Sequence, residues 1–392
     1  MARLSTDGID RFSAIARSYV ENGTLPGLVT GLAAGDDVHV DVLGSLSIGG
    51  EPMRRDTIFR VASLSKPICA VTLLLLVQEG LLSLDEPVDR LLPEIANRPV
   101  LRRIDGPLDD TVPLERPATV RDLLTFTWGF GGTLEMYAAA AEGRPWPIHT
   151  AMTSVPLYTL GVPELQKQPE PDEWMRLLGE LPFLGQPGSV WLYNTGSAVA
   201  GVLCARAAGL PLEDVMRTRL FDPLGMKTTA FWTAETDRMP TVYKPGADGL
   251  ELFDPPEGMW SSRPAFGDGS AGLVSTIDDM LAFARMMARG GEPLLDRALW
   301  AEATRSHLPD SLYKPNVDLF LHGRRWGYSM SVITEGPQAG AFGWFGGLGL
   351  SWLSEHTRDL SVVVLTQRLF EGAHATPEWH VALQDAAFEA VA

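Results

Sequence analysis

Apolar positions recur at helical spacing over residues 8–21, then give way to two β-prone apolar runs, 27–34 and 37–45. Gly35-Asp36-Asp37 joins these runs and predicts a hairpin. A short strand is expected over 57–61, followed by a long apolar helix from 63 to 79 that stops at Gly80. Residues 119–127 predict a short helix ended by Gly129, and 129–172, rich in Gly and Pro with little period, read as loop. Helices follow over 173–181 and 195–208, the second closed by Gly209. The pattern over 275–289 is a strong helix, with Ser275 and Asp278 as a capping pair and Gly290-Gly291 as the stop. The tail returns to short strands over 326–334, 341–345, 348–354 and 360–366, spaced as in an antiparallel meander, and closes with a helix over 377–391.

Strands thus lie at both ends of the chain with helices between. The economical architecture is α+β: one lobe from residues 1–80 and 291–392, a mainly helical lobe from 81–290, and the active site between them. The 392 residues are 45% hydrophobic and 21% charged, which is globular composition. A net charge of −17 argues against a nucleic-acid partner, because phosphate binding needs a basic footprint. The longest apolar stretch, Val71-Thr72-Leu73-Leu74-Leu75-Leu76-Val77, is too short to span a bilayer. The start of the chain is broken by Asp7, Asp10 and Arg11, unlike a secretory signal, so a soluble cytoplasmic protein with no membrane partner is expected. Cys69 and Cys204 sit in apolar runs, as reduced buried thiols would. The seven histidines form no HExxH or Cys/His pattern, so neither a metal nor an organic cofactor is expected. Oligomeric state is not encoded in any of these features.

Lysine is the informative residue type. Only five occur, at 66, 167, 227, 244 and 314, and Lys66 stands at the start of the most apolar helix, in Ser63-Leu64-Ser65-Lys66. A buried lysine loses basicity through desolvation and can act as a neutral base. Residues i and i+3 share a helix face, so Lys66 reaches the Ser63 hydroxyl, which needs such a base to become a nucleophile. Pro67 is tolerated only in a first helical turn, which puts Ser63 at the helix N-terminus, where amide N–H groups favour developing negative charge. A second such spacing, Ser311-Leu312-Tyr313-Lys314, lies between prolines with no apolar helix after it and reads as surface loop. No serine has glycine at both −2 and +2, so the nucleophile elbow of α/β-hydrolases is missing.

Phe59-Arg60-Val61-Ala62-Ser63-Leu64-Ser65-Lys66-Pro67 resembles the nucleophile segment of serine β-lactamase-fold enzymes: class C β-lactamases, penicillin-binding proteins and especially family VIII carboxylesterases. Residues 119–129, Pro187-Gly188-Ser189-Val190-Trp191-Leu192-Tyr193, Leu220-Phe221-Asp222-Pro223-Leu224-Gly225-Met226 and Ser270-Ala271-Gly272-Leu273-Val274-Ser275-Thr276 are similar to later family segments, in order. The resemblance implies a β-lactamase/penicillin-binding-protein-like fold and an acyl-enzyme mechanism. It assigns proton transfer to Tyr193 beside Lys66; a phenol next to an ammonium is expected to ionise below its usual pKa of about 10. It also places an oxyanion hole at the backbone amides of Ser63 and Gly347, where glycine gives unobstructed approach.

Departures from the family pattern narrow the activity. Tyr193 is followed by Asn194 and Thr195, so the asparagine stands one place early, and Asn194 either orients substrate or caps the next helix. Where β-lactam enzymes carry Lys-Thr-Gly, this chain has Trp344-Phe345-Gly346, which suggests a neutral acyl substrate against an aromatic wall. Phe126 and Trp128 are candidates to line that pocket, as are Phe130, Trp146, Trp260 and Phe266. The expected activity is hydrolysis of short-chain carboxylic esters, a small-molecule substrate, through Ser63 with Lys66 and Tyr193 as base and acid. The rivals are β-lactam or D-amino-acid amide hydrolysis, acyl transfer to an acceptor other than water, and a non-catalytic binding protein.

Overall fold

The structure is a computed structural model, and it describes residues 2–155, 157, 164–372 and 376–391. Helix α1 (Thr6–Glu21) is capped by Ser5, whose side chain accepts from the Gly8 amide. Strands β1 (Gly27–Ala34) and β2 (Asp37–Gly44) form the expected hairpin. The apolar run after Ser63 becomes α2 (Ser65–Gln78), preceded by a 3-10 turn over Ala62–Leu64. It is apolar on nearly every face and buried accordingly, as a core helix is. Helix α3 (Val120–Thr125) begins with a full capping box between Thr119 and Asp122. Helix α4 (Thr195–Ala208) ends at Gly209 in a left-handed conformation.

Helix α5 (Ile277–Ala288) is capped by Thr276, one residue later than the sequence suggests. Ser275 is instead paired with Phe59 in a two-residue strand, and its hydroxyl bonds Thr229 Oγ1 at 2.8 Å. The tail supplies β3 (Arg325–Trp326), β4 (Ser331–Val332), β5 (Ala341–Gly346), β6 (Leu350–Glu355) and β7 (Leu360–Thr366), and then α6 (Glu378–Glu389). The single strand expected over 326–334 is therefore two, broken by a turn in which Ser329 has φ 56°.

The seven strands make one antiparallel sheet in the order β2-β1-β7-β6-β5-β4-β3. Strand β1 pairs with β7, Leu28 opposite Thr366 through Ala34 opposite Leu360, so the two ends of the chain build its middle. Alternate residues of the central strands serve opposite faces. Leu28, Leu32, Val362 and Val364 pack beneath α1 and α6 with Phe12, Leu383 and Ala387. Val29, Val363 and Leu365 join the larger core shared with α2 and the helical segments. Helix α5 lies against β1, β6 and β7, so this part of the span 81–290 belongs with the sheet rather than with the inserted helices.

The span 129–172 is less loop-like than its composition implies. Thr133 caps a helix over Leu134–Ala141, and Pro147 opens another over Pro147–Ser154. Residues 156 and 158–163 of that span, like His374, lie outside the described residues. A helix also follows the second Ser-x-x-Lys spacing: Pro315 starts Pro315–Leu321, with Lys314 in the N-cap position. Among the described residues no single helix is long and apolar enough to cross a membrane.

Candidate active site

The nucleophile turn is held from three directions. Val61 N–H donates to Leu273 O at 2.9 Å, tying the segment to the chain before α5. Ala62 takes φ 45°, a left-handed conformation that costs a non-glycine residue about 1–3 kcal/mol and that the surrounding packing sustains. The end of β5 closes on the turn: a Cβ at Gly346 would sit 2.7 Å from Val61 O, so only glycine admits this approach.

Lys66, on the first turn of α2, is fully buried. Its Nζ lies 2.8 Å from Ser63 Oγ and donates to Ser270 O at 2.7 Å. Burial brings the amine down to about 7, against the opposing pull of Asp268. Near neutral pH a substantial fraction is therefore free base.

Tyr193 meets the same hydroxyl from the helical side. Its backbone exchanges hydrogen bonds with Gly132, N–H to O at 2.9 Å and the reverse at 3.0 Å. Asn194 then bends the chain sharply, with φ 84° and ψ −63° and Thr195 N–H on Tyr193 O at 3.2 Å, a strained three-residue turn that aims the phenol. Asn194 holds the N-cap position of α4, but its side chain makes no capping bond. The phenol hydrogen-bonds Ser63 and accepts the Trp344 indole N–H at 2.9 Å. Burial pushes it up to about 12, partly offset by those two bonds. This reverses the expected acidification: burial of the phenol outweighs the hydrogen bonds that would favour its ionised form. The Lys66 Nζ sits 4.9 Å from the ring centre of Tyr193.

The remaining candidates divide. Trp344 faces Tyr193, with ring centres 5.8 Å apart, and stands edge-on to Trp326 at 4.7 Å. Phe345, next along β5, points to the other face of the sheet against Phe370 and His380, and so leaves the site. Gly347 follows β5 with open space where a side chain would be, and its carbonyl accepts from Phe370 N–H at 3.1 Å. Phe126 is fully buried beneath Tyr193, its ring centre 5.8 Å from the phenol's, and supports that ring rather than lining a cavity. Trp128 is fully buried against Phe130 and Phe183, inside the helical core and not against Tyr193. Trp260 and Phe266 pack elsewhere, Trp260 on Gly272 O and Phe266 stacked on Trp174.

The cavity that Tyr193 does line holds about 160 Å³, with Gly132, Leu134, Trp146, Trp191, Val317 and Phe320 among its walls. Trp146 was a sequence candidate. Trp191 carried a signal, two places before the tyrosine, whereas Val317 and Phe320 lie on a short helix that the sequence pattern does not reveal. Ser270, whose carbonyl accepts from Lys66, and Asp268, which bonds the Ser270 amide, carry no such signal in the sequence. Among the described residues no cluster of three or more His, Cys, Asp or Glu side chains is placed to hold a metal ion.

A serine, a buried lysine one helical turn on and a tyrosine from the inserted helices, meeting at the edge of an antiparallel sheet, define the β-lactamase and penicillin-binding-protein class of fold. The chain belongs to the β-lactamase family, whose family model matches residues 12–387. Relatives include Protein Rv1367c of Mycobacterium tuberculosis, 32% identical over 381 residues, covering 92% of this chain and 90% of the relative. Esterase EstB of Burkholderia gladioli is 32% identical over 366 residues, covering 86% and 84%. Among solved structures, EstCE1, a hydrolase with promiscuous acyltransferase activity, superposes with a TM-score of 0.78 at 25% identity over 97% of this chain and 99% of that one.

Proposed function

We propose that the protein hydrolyses carboxylic esters of short acyl chain through an acyl-enzyme on Ser63. The observation that carries the reading is the contact between a fully buried amine and a hydroxyl, Lys66 Nζ to Ser63 Oγ at 2.8 Å. The free amine takes the Ser63 proton as Oγ attacks the ester carbonyl. The amides of Ser63 and Gly347 receive the oxyanion. Tyr193, which keeps its proton, donates it to the departing alkoxide and is reprotonated from the Lys66 ammonium. Water then enters, the same pair removes its proton, and the acid leaves with Ser63 restored.

Trp344 supports an ester over a β-lactam. It occupies the place where a cation would hold the β-lactam carboxylate, and its N–H is committed to Tyr193. The printed descriptions of EstB and EstCE1, an esterase and a hydrolase with acyltransferase activity, support the same chemistry.

A phosphonate probe is expected to label the wild type at Ser63 and to leave Ser63→Ala unlabelled. Lys66→Ala is expected to lower kcat/KM on p-nitrophenyl acetate by at least ~10²-fold, the scale of a lost general base. The wild-type kcat/KM should rise with pH through about 7, because only the free amine is active. A Lys66→Ala protein at wild-type rates would overturn the reading, and product analysis with an added alcohol separates hydrolysis from acyl transfer.

A further inference from the structure

Lys66 is held from behind by a loop whose chemistry the mechanism above does not use. Residues 267–272 lie tight against α2 and α4: a Cβ at Gly269 would meet Cys69 Sγ at 2.7 Å and Ser197 O at 2.8 Å. Within the loop, Asp268 is buried, 2% exposed. Its Oδ1 accepts from Ser270 N–H at 2.7 Å, and its Oδ2 faces Gln168 Nε2 at 3.5 Å. The Ser270 carbonyl, on the other side of that residue, accepts from Lys66 Nζ at 2.7 Å. The loop is closed by Gly272 N–H on Asp268 O at 2.8 Å and by the Trp260 indole on Gly272 O at 3.0 Å.

A buried carboxylate is costly unless it is paired or fully hydrogen-bonded. Among the described residues Asp268 makes no ion pair within 4 Å, and both of its side-chain hydrogen-bond donors are neutral. About the amine stand the Ser63 hydroxyl, the Ser270 carbonyl, the Tyr193 ring and the charge of Asp268, while Cys69, one turn further along α2, packs on Gly269 of the loop. Asp268 is the charged side chain whose field acts on Lys66.

We propose that Asp268 is a positioning residue for Lys66: its carboxylate pins the Ser270 peptide that grips the amine, and its charge serves as the buried counterion of the ammonium formed when Ser63 gives up its proton. This rests on Lys66 acting as the base. The separation of the two charges is the functional point. A direct ion pair would hold Lys66 as ammonium and bar it from accepting a proton. With no counterion at all, a fully buried lysine falls to about 5–6 and becomes a poor acceptor for a serine proton. One intervening residue gives a middle strength of interaction.

The experiment uses Asp268→Asn, which keeps an acceptor oxygen for the Ser270 amide and removes the charge. The readout is the pH dependence of Ser63 inactivation by a p-nitrophenyl phosphonate, which needs only nucleophile and base, with kcat/KM on p-nitrophenyl acetate measured alongside. The rising limb is expected to move down by about one pH unit, as for loss of a nearby opposite charge. The plateau is expected to fall several-fold, since a weaker base removes the proton less readily. Gln168→Lys, which neutralises the carboxylate from its other side, should shift the limb in the same direction and serves if Asp268→Asn does not fold. A limb that stays put or moves up in a folded variant overturns the proposal, and a lower rate with an unmoved limb does so too, because that is loss of structure alone. Should phosphonate label Ser63 while no ester is turned over, the ester reading fails and the limb still tests Asp268.

Discussion

Burial moves the two titratable groups beside Ser63 in opposite directions, Lys66 down to about 7 and Tyr193 up to about 12. Above neutral pH the proton is therefore off the amine and on the phenol, the distribution a base and an acid require. Trp344 tempers the rise of the second group and orients it. Its N–H donates to the phenol oxygen at 2.9 Å and so fixes where the hydroxyl meets Ser63. Trp344→Phe keeps an aromatic ring and deletes that donor; kcat/KM on p-nitrophenyl acetate is expected to fall by about 3–10-fold, the worth of one hydrogen bond. Unchanged kinetics in a folded variant would remove Trp344 from the chemistry. The pairing of Ser63 and Lys66 was legible in the sequence because i,i+3 spacing on a helix fixes proximity. The direction of the Tyr193 shift was not, since it depends on how deeply the fold buries the phenol. Phe126 and Trp128 misled for a related reason: an aromatic at the start of a Gly-rich stretch does not disclose which way it faces, and both are buried in the core.

At the level of elements, the site is an encounter between a strained turn and the blunt end of a strand. Gly346 and Gly347 are adjacent in β5 and its exit, yet their surroundings differ. A Cβ at Gly346 meets Val61 O at 2.7 Å, whereas one at Gly347 meets nothing within 4 Å. Gly346→Ala is expected to lose about 1–3 kcal/mol of stability, as overpacking against backbone does, while Gly347→Ala keeps its melting temperature. Chemical denaturation of the two variants checks this, and equal stabilities would refute the close approach. Long elements with a clear period and a stop signal were readable: α1, α2 and α4 fall within a residue or two of their predicted bounds. The short helices Leu134–Ala141, Pro147–Ser154 and Pro315–Leu321 were not, because seven or eight residues give barely two turns of pattern and each is bracketed by Gly or Pro. That gap mattered, since two of the three helices supply walls of the cavity beside Tyr193.

For the molecule as a whole, the cavity of about 160 Å³ beside Tyr193 has room for about five water-sized groups and is where the acyl chain of the proposed ester would lie. Across p-nitrophenyl esters, kcat/KM is expected to fall by about tenfold or more from butyrate to decanoate, and Phe320→Ala to narrow the gap. A flat profile would show that the chain lies outside the cavity. The α+β class and the placing of strands at both ends were legible because each strand run carries its own turn signals. Their order in the sheet was not, since pairing β1 with β7 rests on contacts far apart along the chain. The same pairing has a consequence during synthesis: Thr366 Oγ1 donates to Gly27 O across 339 positions. At ribosomal speeds of about 5–20 residues per second, β1 emerges and waits roughly 20–70 seconds for its neighbour. Throughout that interval the side of β1 that β7 will cover keeps its backbone N–H and C=O groups unpaired between mostly apolar side chains, a stretch open to mispairing.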